Sequence, residues 1–189
     1  MTSSTYFKTA RLGLKRSVDQ FARSHVPFGT IGAICESSPW LSKRIASLII
    51  DPSLPLIELG AGFGSVTAQL PPTAISLETE EQRFAHLKSH FPDRVILDQC
   101  AIAFLDKLST ASIIISCIPS VNNPDFGRLY HAIERAHHAG LIAQLITYTY
   151  FPRNPFADIF PQLGKPHIEL RNMPPALVWD YRPHAPSAT

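Results

Sequence analysis

The stretch Ile57-Glu58-Leu59-Gly60-Ala61-Gly62-Phe63-Gly64 constrains this chain more than any other. A short apolar run, Pro55–Leu59, leads straight into glycines at alternate positions. Glycine adopts left-handed backbone without steric cost and lets a ligand come close to the main chain. A strand that bends this way into a helix is the opening unit of a parallel sheet with helices on both faces. Loops that seat a pyrophosphate read GxGxxG and offer the helix N-terminus to the phosphates. Here the spacing is GxGxG, and an acid, Glu58, stands just before the bend. A carboxylate in that place repels a pyrophosphate and suits a cation.

The rest of the chain repeats the opening unit. A helix is expected over Ser65–Leu70, stopped by Pro71-Pro72, and Ala74–Leu77 reads as a second strand. Thr79-Glu80-Glu81-Gln82 has the spacing of a capping box and opens a helix bearing Phe84, Leu87 and Phe91. Arg94–Leu97 is a third strand, Ile102–Leu108 a short helix and Ser112–Cys117 a fourth strand. Asn123-Pro124 opens a helix with Phe126, Leu129, Tyr130, Ile133 and Ala136 on one face, and Gly140 fits its C-terminal cap. Leu141–Tyr150 is a fifth strand. His167–Leu170 and Ala176–Tyr181, with no helix between them, read as an antiparallel pair at the sheet edge. Upstream, Ser38 and Pro39 cap a helix carrying Trp40, Leu41, Ile45, Leu48 and Ile49, which Asp51-Pro52 stops. Strand and helix alternate, so residues 27–189 are expected to form one α/β domain. The 17 prolines lie between these runs and mark short connections.

Charge sets the first 26 residues apart. The chain carries a net charge of only +2, yet Lys8, Arg11, Lys15, Arg16 and Arg23 stand there against the single acid Asp19. Phe7, Ala10, Leu14, Val18 and Phe21 fall on one helical face, which makes residues 1–26 a basic amphipathic helix. Such an element suits an anionic partner: a lipid surface, a nucleic acid or an acidic protein. No apolar run reaches the roughly 18–20 residues of a membrane-spanning helix. The three cysteines, Cys35, Cys100 and Cys117, have no zinc-ligand spacing, no metal site is expected, and they read as reduced thiols.

Glu78 sharpens the reading of the glycine bend. It follows the second strand, where this kind of sheet places the ribose hydroxyls of a bound nucleoside, and a carboxylate can accept both. Two acids and a phosphate-poor loop together fit a cationic nucleoside without phosphates, S-adenosylmethionine. Its site is expected to comprise Glu58, Gly60, Ala61, Gly62, Gly64 and Glu78. Tyr148 and Tyr150, which close the fifth strand at the edge where such sheets bind ligands, are candidates for stabilising a positive charge there.

These residues resemble the class I S-adenosylmethionine-dependent methyltransferases, and within them the bacterial phospholipid N-methyltransferases. The resemblance rests on Ile57–Gly64, Leu77–Pro92, Ser116–Pro119, Gln144–Pro155 and Asn172–Tyr181, together with the basic amphipathic N-terminus. It implies a Rossmann-like, mostly parallel sheet of seven strands with a reversed edge strand and helices on both faces. It also implies methyl transfer to the amine of phosphatidylethanolamine, giving mono-, di- or trimethylated products. The place of action would be the inner face of the bacterial cytoplasmic membrane, with the N-terminal helix on the anionic surface. Ser116-Cys117-Ile118-Pro119 resembles the Asn-Leu-Pro-Tyr type motif of amine-methylating relatives and nominates Ser116 and Pro119 near the target nitrogen.

The chain departs from the family's pattern in three places. The Gly-Asp-Ala that follows strand three, whose Asp holds the adenine amino group in the family, is Asp98-Gln99-Cys100-Ala101 here, so the resemblance implies Asp98, displaced, as the further cofactor contact. Phe63 replaces a small residue, and Ser112 stands where Asp is common. Two other readings use the same residues. One is an rRNA adenine N-methyltransferase-like enzyme; the other is a weak or non-catalytic membrane-binding relative.

Overall fold

The computed structural model describes residues 37–161 and 166–183. The expected basic helix over residues 1–26 lies outside them.

The first described helix, α1 (Pro39–Ser47), starts as its sequence dictates. Ser38 is extended and its Oγ accepts the Leu41 N–H at 3.2 Å, with Pro39 in the first turn. The strands follow as β1 (Leu56–Leu59), β2 (Ile75–Leu77), β3 (Val95–Leu97), β4 (Ser112–Ser116), β5 (Ile142–Thr149), β6 (His167–Glu169) and β7 (Ala176–Tyr181). The intervening helices are α2 (Glu81–His90), α3 (Ala101–Leu105) and α4 (Phe126–His138). Gly140, at φ 72°, ends α4 in the left-handed conformation expected of it.

The helix expected over Ile102–Leu108 runs Ala101–Leu105, and the one expected to open at Asn123-Pro124 starts at Phe126; two further changes lie beside the glycine bend. The helix foreseen over Ser65–Leu70 contracts to a single 3₁₀ turn, Thr67–Gln69. Thr67 spends its hydroxyl on Glu58 (2.7 Å), and Pro71 follows directly. The capping box shifts by one residue. Glu80 caps α2, its carboxylate accepting from the Gln82 and Arg83 N–H groups, because the N–H groups of Thr79 and Glu80 are turned toward Glu78.

The seven strands form one sheet in the order β3-β2-β1-β4-β5-β7-β6. The first five are parallel; β7 runs antiparallel to β5 and to β6. The strand order reverses between β1 and β4, and ligands of open α/β sheets bind beyond the carboxyl ends of the strands at that point.

Side-chain alternation sends β4 to both faces. Ile114 packs with Leu59, Leu145, Trp179 and Tyr181 against Leu129 and Ile133 of α4. Ile113 and Ile115 pack with Leu56, Ile146 and Val178 against Leu41 and Ile45 of α1. Gln144 is fully buried on this second side and has its polar atoms paired. Its Nε2 donates to the Leu48 carbonyl (2.8 Å) and to Asp180 Oδ1 (2.6 Å), and its Oε1 accepts from Ile50 N–H (3.1 Å). The end of α1 is thereby pinned to the sheet.

Candidate functional site

The glycine bend is built as the sequence requires. Gly60, Gly62 and Gly64 have φ of 74°, 59° and 87°, a region unfavourable for residues with a side chain. The three are not equivalent. A methyl group on Gly64 would lie 2.4 Å from Phe91 and 2.9 Å from Leu87, and one on Gly60 would lie 2.8 Å from Ile118. Nothing stands within 4 Å of such a group on Gly62. Gly64 therefore lets α2 pack beneath the loop, whereas Gly62 leaves space above it.

The loop is tied to β2 and its acid. Gly60 and Ala61 both donate to the Leu77 carbonyl, at 3.0 and 2.9 Å. Gly62 N–H donates to Glu78 Oε2 at 2.8 Å, while Glu78 Oε1 accepts from Thr79 N–H (3.0 Å) and Glu80 N–H (2.9 Å). A carboxylate has about four acceptor positions. With three engaged by the main chain, one remains for a hydroxyl, where the sequence led us to expect two such contacts.

Beside this acid lies a cavity of about 310 Å³. Gly60 and Glu78 line one wall, Gln99 and Cys100 the loop after β3, and Cys117, Ile118 and Pro119 the loop after β4. Asp98 is exposed and outside the cavity; its neighbour Gln99 is half-buried and inside it. Ser116 is buried at the end of β4, its carbonyl accepting from Thr147 Oγ1 at 2.8 Å, and it does not reach the cavity. Pro119 does, and its carbonyl accepts from Asn123 Nδ2 at 3.1 Å.

A second polar group occupies the α1 side of the same sheet edge. Glu58 is fully buried; its Oε2 accepts from Ser76 Oγ (2.6 Å) and Thr67 Oγ1 (2.7 Å). Its Oε1 is also buried and has no hydrogen-bond partner. Burial pushes the Glu58 carboxyl up to about 7, with the two hydroxyls pulling the other way. Cys117, one step beyond β4, and Tyr148 on β5 share this face with it. Burial raises both their pKa values well above the ordinary range. The Tyr148 hydroxyl accepts from Ser37 Oγ at 3.1 Å, and its ring meets that of Tyr150 edge-on at 5.8 Å. Neither tyrosine lines the cavity, but Cys117 belongs both to its wall and to the tyrosine cluster.

Gln99, Ser76 and Thr67 were missed from sequence. Ser76 carried a signal, since a hydroxyl in a buried strand needs a partner and the parallel register sets it beside Glu58. Thr67 carried none, because a threonine in a supposed helix looks ordinary.

This geometry defines the class of fold: the Rossmann-like methyltransferase sheet with its reversed strand near the edge. The chain is similar in structure to TrmN from Thermus thermophilus, with a TM-score of 0.57 and 16% identity over 77% of this chain and 49% of that one. It thus spans about half the length of TrmN. It is similar to magnesium protoporphyrin IX methyltransferase (ChlM) from Synechocystis PCC 6803 with bound SAM, at a TM-score of 0.54 and 14% identity over 88% of this chain and 91% of that one. It is also similar to the 23S rRNA methyltransferase ErmE, at a TM-score of 0.54 and 17% identity over 78% and 69%. No family model matches the chain, and no curated protein matches it.

Proposed function

We propose that the chain is an S-adenosylmethionine-dependent methyltransferase that acts on the headgroup amine of a phospholipid at a membrane surface. The observation that carries the cofactor is the pairing of Gly62 N–H with Glu78 beside an open cavity, with a second buried carboxylate across the strand end. The residues present fit that ligand. Glu58 is fully buried and does not line the cavity, and its Oε1 has no hydrogen-bond partner, so it supplies an acid behind the strand end. The bare face of Gly62 leaves room for a ligand to lie on the loop. Glu78 keeps one acceptor position for a ribose hydroxyl.

S-adenosylmethionine supplies a methyl group on a cationic sulfur. Everything else falls to the chain: the loop residues Gly60–Gly64 and Glu78 hold the nucleoside, and Glu58 balances the positive charge. The attacking amine must be neutral, and a site out of water favours that form. Positioning both reactants can supply much of the rate. Tyr148 and Tyr150 stand on the Glu58 side of the sheet edge, where an aromatic face would favour the charge spread between sulfur and nitrogen.

The lipid acceptor is supported by the resemblance over Ser116–Pro119, Gln144–Pro155 and Asn172–Tyr181 and by the basic, amphipathic residues 1–26. Among the described residues no helix is long and apolar enough to cross a membrane. We infer attachment from the basic, amphipathic character of those first residues, each cation contributing about 1 kcal/mol near an anionic surface.

The test is incubation of the full chain with methyl-labelled S-adenosylmethionine and mixed phospholipid vesicles, followed by lipid separation. Label is expected in mono-, di- or trimethylated phosphatidylethanolamine. Tyr148→Leu, which removes the aromatic face, should lower that labelling while S-adenosylhomocysteine still binds. Label that enters ribosomal RNA and no lipid would overturn the acceptor and leave the cofactor in place.

A further inference from the structure

Three loops stand side by side at the carboxyl edge of the sheet. The glycine bend follows β1, Glu78 follows β2 and Gln99 follows β3. The strands end level, with Leu59 paired to Leu77 and Leu77 to Leu97. Adjacent strands lie about 4.8 Å apart. A nucleoside laid from the bend across Glu78 therefore reaches the loop after β3 with its base, about two strand spacings away. What meets it there is not a free carboxylate. Asp98 is exposed and off the cavity, while Gln99 is half-buried and lines it. The carboxylates that do line the cavity are already committed: Glu78 to three main-chain N–H groups, and Asp125 to Arg128 at 3.1 Å.

We propose that Gln99 reads the edge of the purine and that, in doing so, it makes the site tolerant of the base. This rests on the reading that the cavity takes an S-adenosyl nucleoside. An adenine edge offers an amino N–H donor beside the N1 acceptor. A carboxamide answers with its oxygen and its NH₂ together. A hypoxanthine edge offers the reverse, a carbonyl acceptor beside an N1–H donor. Rotating the Gln99 amide by half a turn answers that pattern equally well. A carboxylate, which only accepts, has no such second state and sets its oxygens against the hypoxanthine carbonyl. Buried polar groups left unpaired are what give hydrogen-bonding sites their selectivity. A side chain that can pair with either base gives up most of it.

The experiment is calorimetric titration of the full chain with S-adenosylhomocysteine and with S-inosylhomocysteine. The two are expected to bind within about tenfold of each other, well inside the discrimination of a site with fixed polarity. Gln99→Leu is expected to weaken both by about tenfold or more, with an unchanged melting midpoint as the check that it is folded. If the adenosyl form binds and the inosyl form is weaker by more than about tenfold, or if Gln99→Leu binds both as the wild type does, this inference is overturned and the cofactor reading stands. If the wild type binds neither nucleoside, the cofactor reading itself falls. The comparison of the two nucleosides on the wild-type chain does not depend on the variant.

Discussion

The Gly62 N–H donates to Glu78 Oε2 at 2.8 Å, which ties the glycine bend to the acid beside the cavity. The same carboxylate holds the start of α2 through Thr79 and Glu80. Glu78→Gln keeps the shape but supplies one acceptor oxygen where two were in use, and turns an NH₂ toward an N–H. Hydrogen bonds to a charged group contribute about 1.5–3 kcal/mol. We expect binding of S-adenosylhomocysteine to weaken by about tenfold or more, measured by calorimetry, together with a lower melting midpoint.

The glycines of the bend should separate on substitution. Gly64→Ala drives a methyl group to 2.4 Å from Phe91 and 2.9 Å from Leu87, on top of an unfavourable φ of 87°. Gly62→Ala meets nothing within 4 Å and carries only the backbone cost, about 1–2 kcal/mol. Thermal unfolding should therefore show Gly64→Ala as the more destabilised protein. Gly62→Ala should remain folded yet lose S-adenosylhomocysteine affinity, because its new methyl group occupies the open side of the loop. Equal melting midpoints for the two variants would contradict this account.

Glu58 predicts a pH dependence of stability. Its carboxyl titrates near 7 in the folded protein and near 4.5 when unfolded. Between those values the folded state binds the extra proton, so stability is fully present below about 4.5, declines as pH rises through 7 and is level above it. The loss is on the order of 3 kcal/mol. Glu58→Gln keeps an oxygen for the Ser76 and Thr67 hydroxyls and removes the titration. Urea unfolding at intervals from pH 5 to 8 should show the variant gaining on the wild type as pH rises. Parallel curves for the two proteins would show that Glu58 does not hold its proton.

The two described cysteines should differ in reactivity. Cys100 is exposed, whereas burial pushes the Cys117 thiol up and keeps it protonated. A maleimide located by peptide mass spectrometry should modify Cys100 and spare Cys117. Both thiols line the cavity, so S-adenosylhomocysteine should slow the Cys100 reaction several-fold. An unchanged rate at saturating nucleoside would place the ligand elsewhere.

Most of the fold was legible because its signals are local. The Ser38-Pro39 cap, the alternate glycines, the Gly140 stop and the strand Ala176–Tyr181 each follow from a few adjacent residues. What escaped depends on contacts between distant segments. The helix after the glycines was cut short because Thr67 turns to Glu58, and the cap of α2 moved because Glu78 captured two N–H groups. Beyond β3 it is Gln99, and not the expected Asp98, that lines the cavity. β3 is a three-residue edge strand, too short for its alternation to say which residue beyond it turns inward. Tyr148 and Tyr150 were placed correctly at the end of β5, but the face they take, shared with Glu58 and away from the cavity, follows from pairing with β4.

The antiparallel strand β7 lies between β5 and β6, and it is the last of the seven to be synthesised. Until Tyr181 has left the ribosome, the nascent chain carries β5 with one side unpaired, an open template for any passing strand. Native closure is therefore a late event. A chain cut short before Ala176 should be found with chaperones or in inclusion bodies, not as a folded protein.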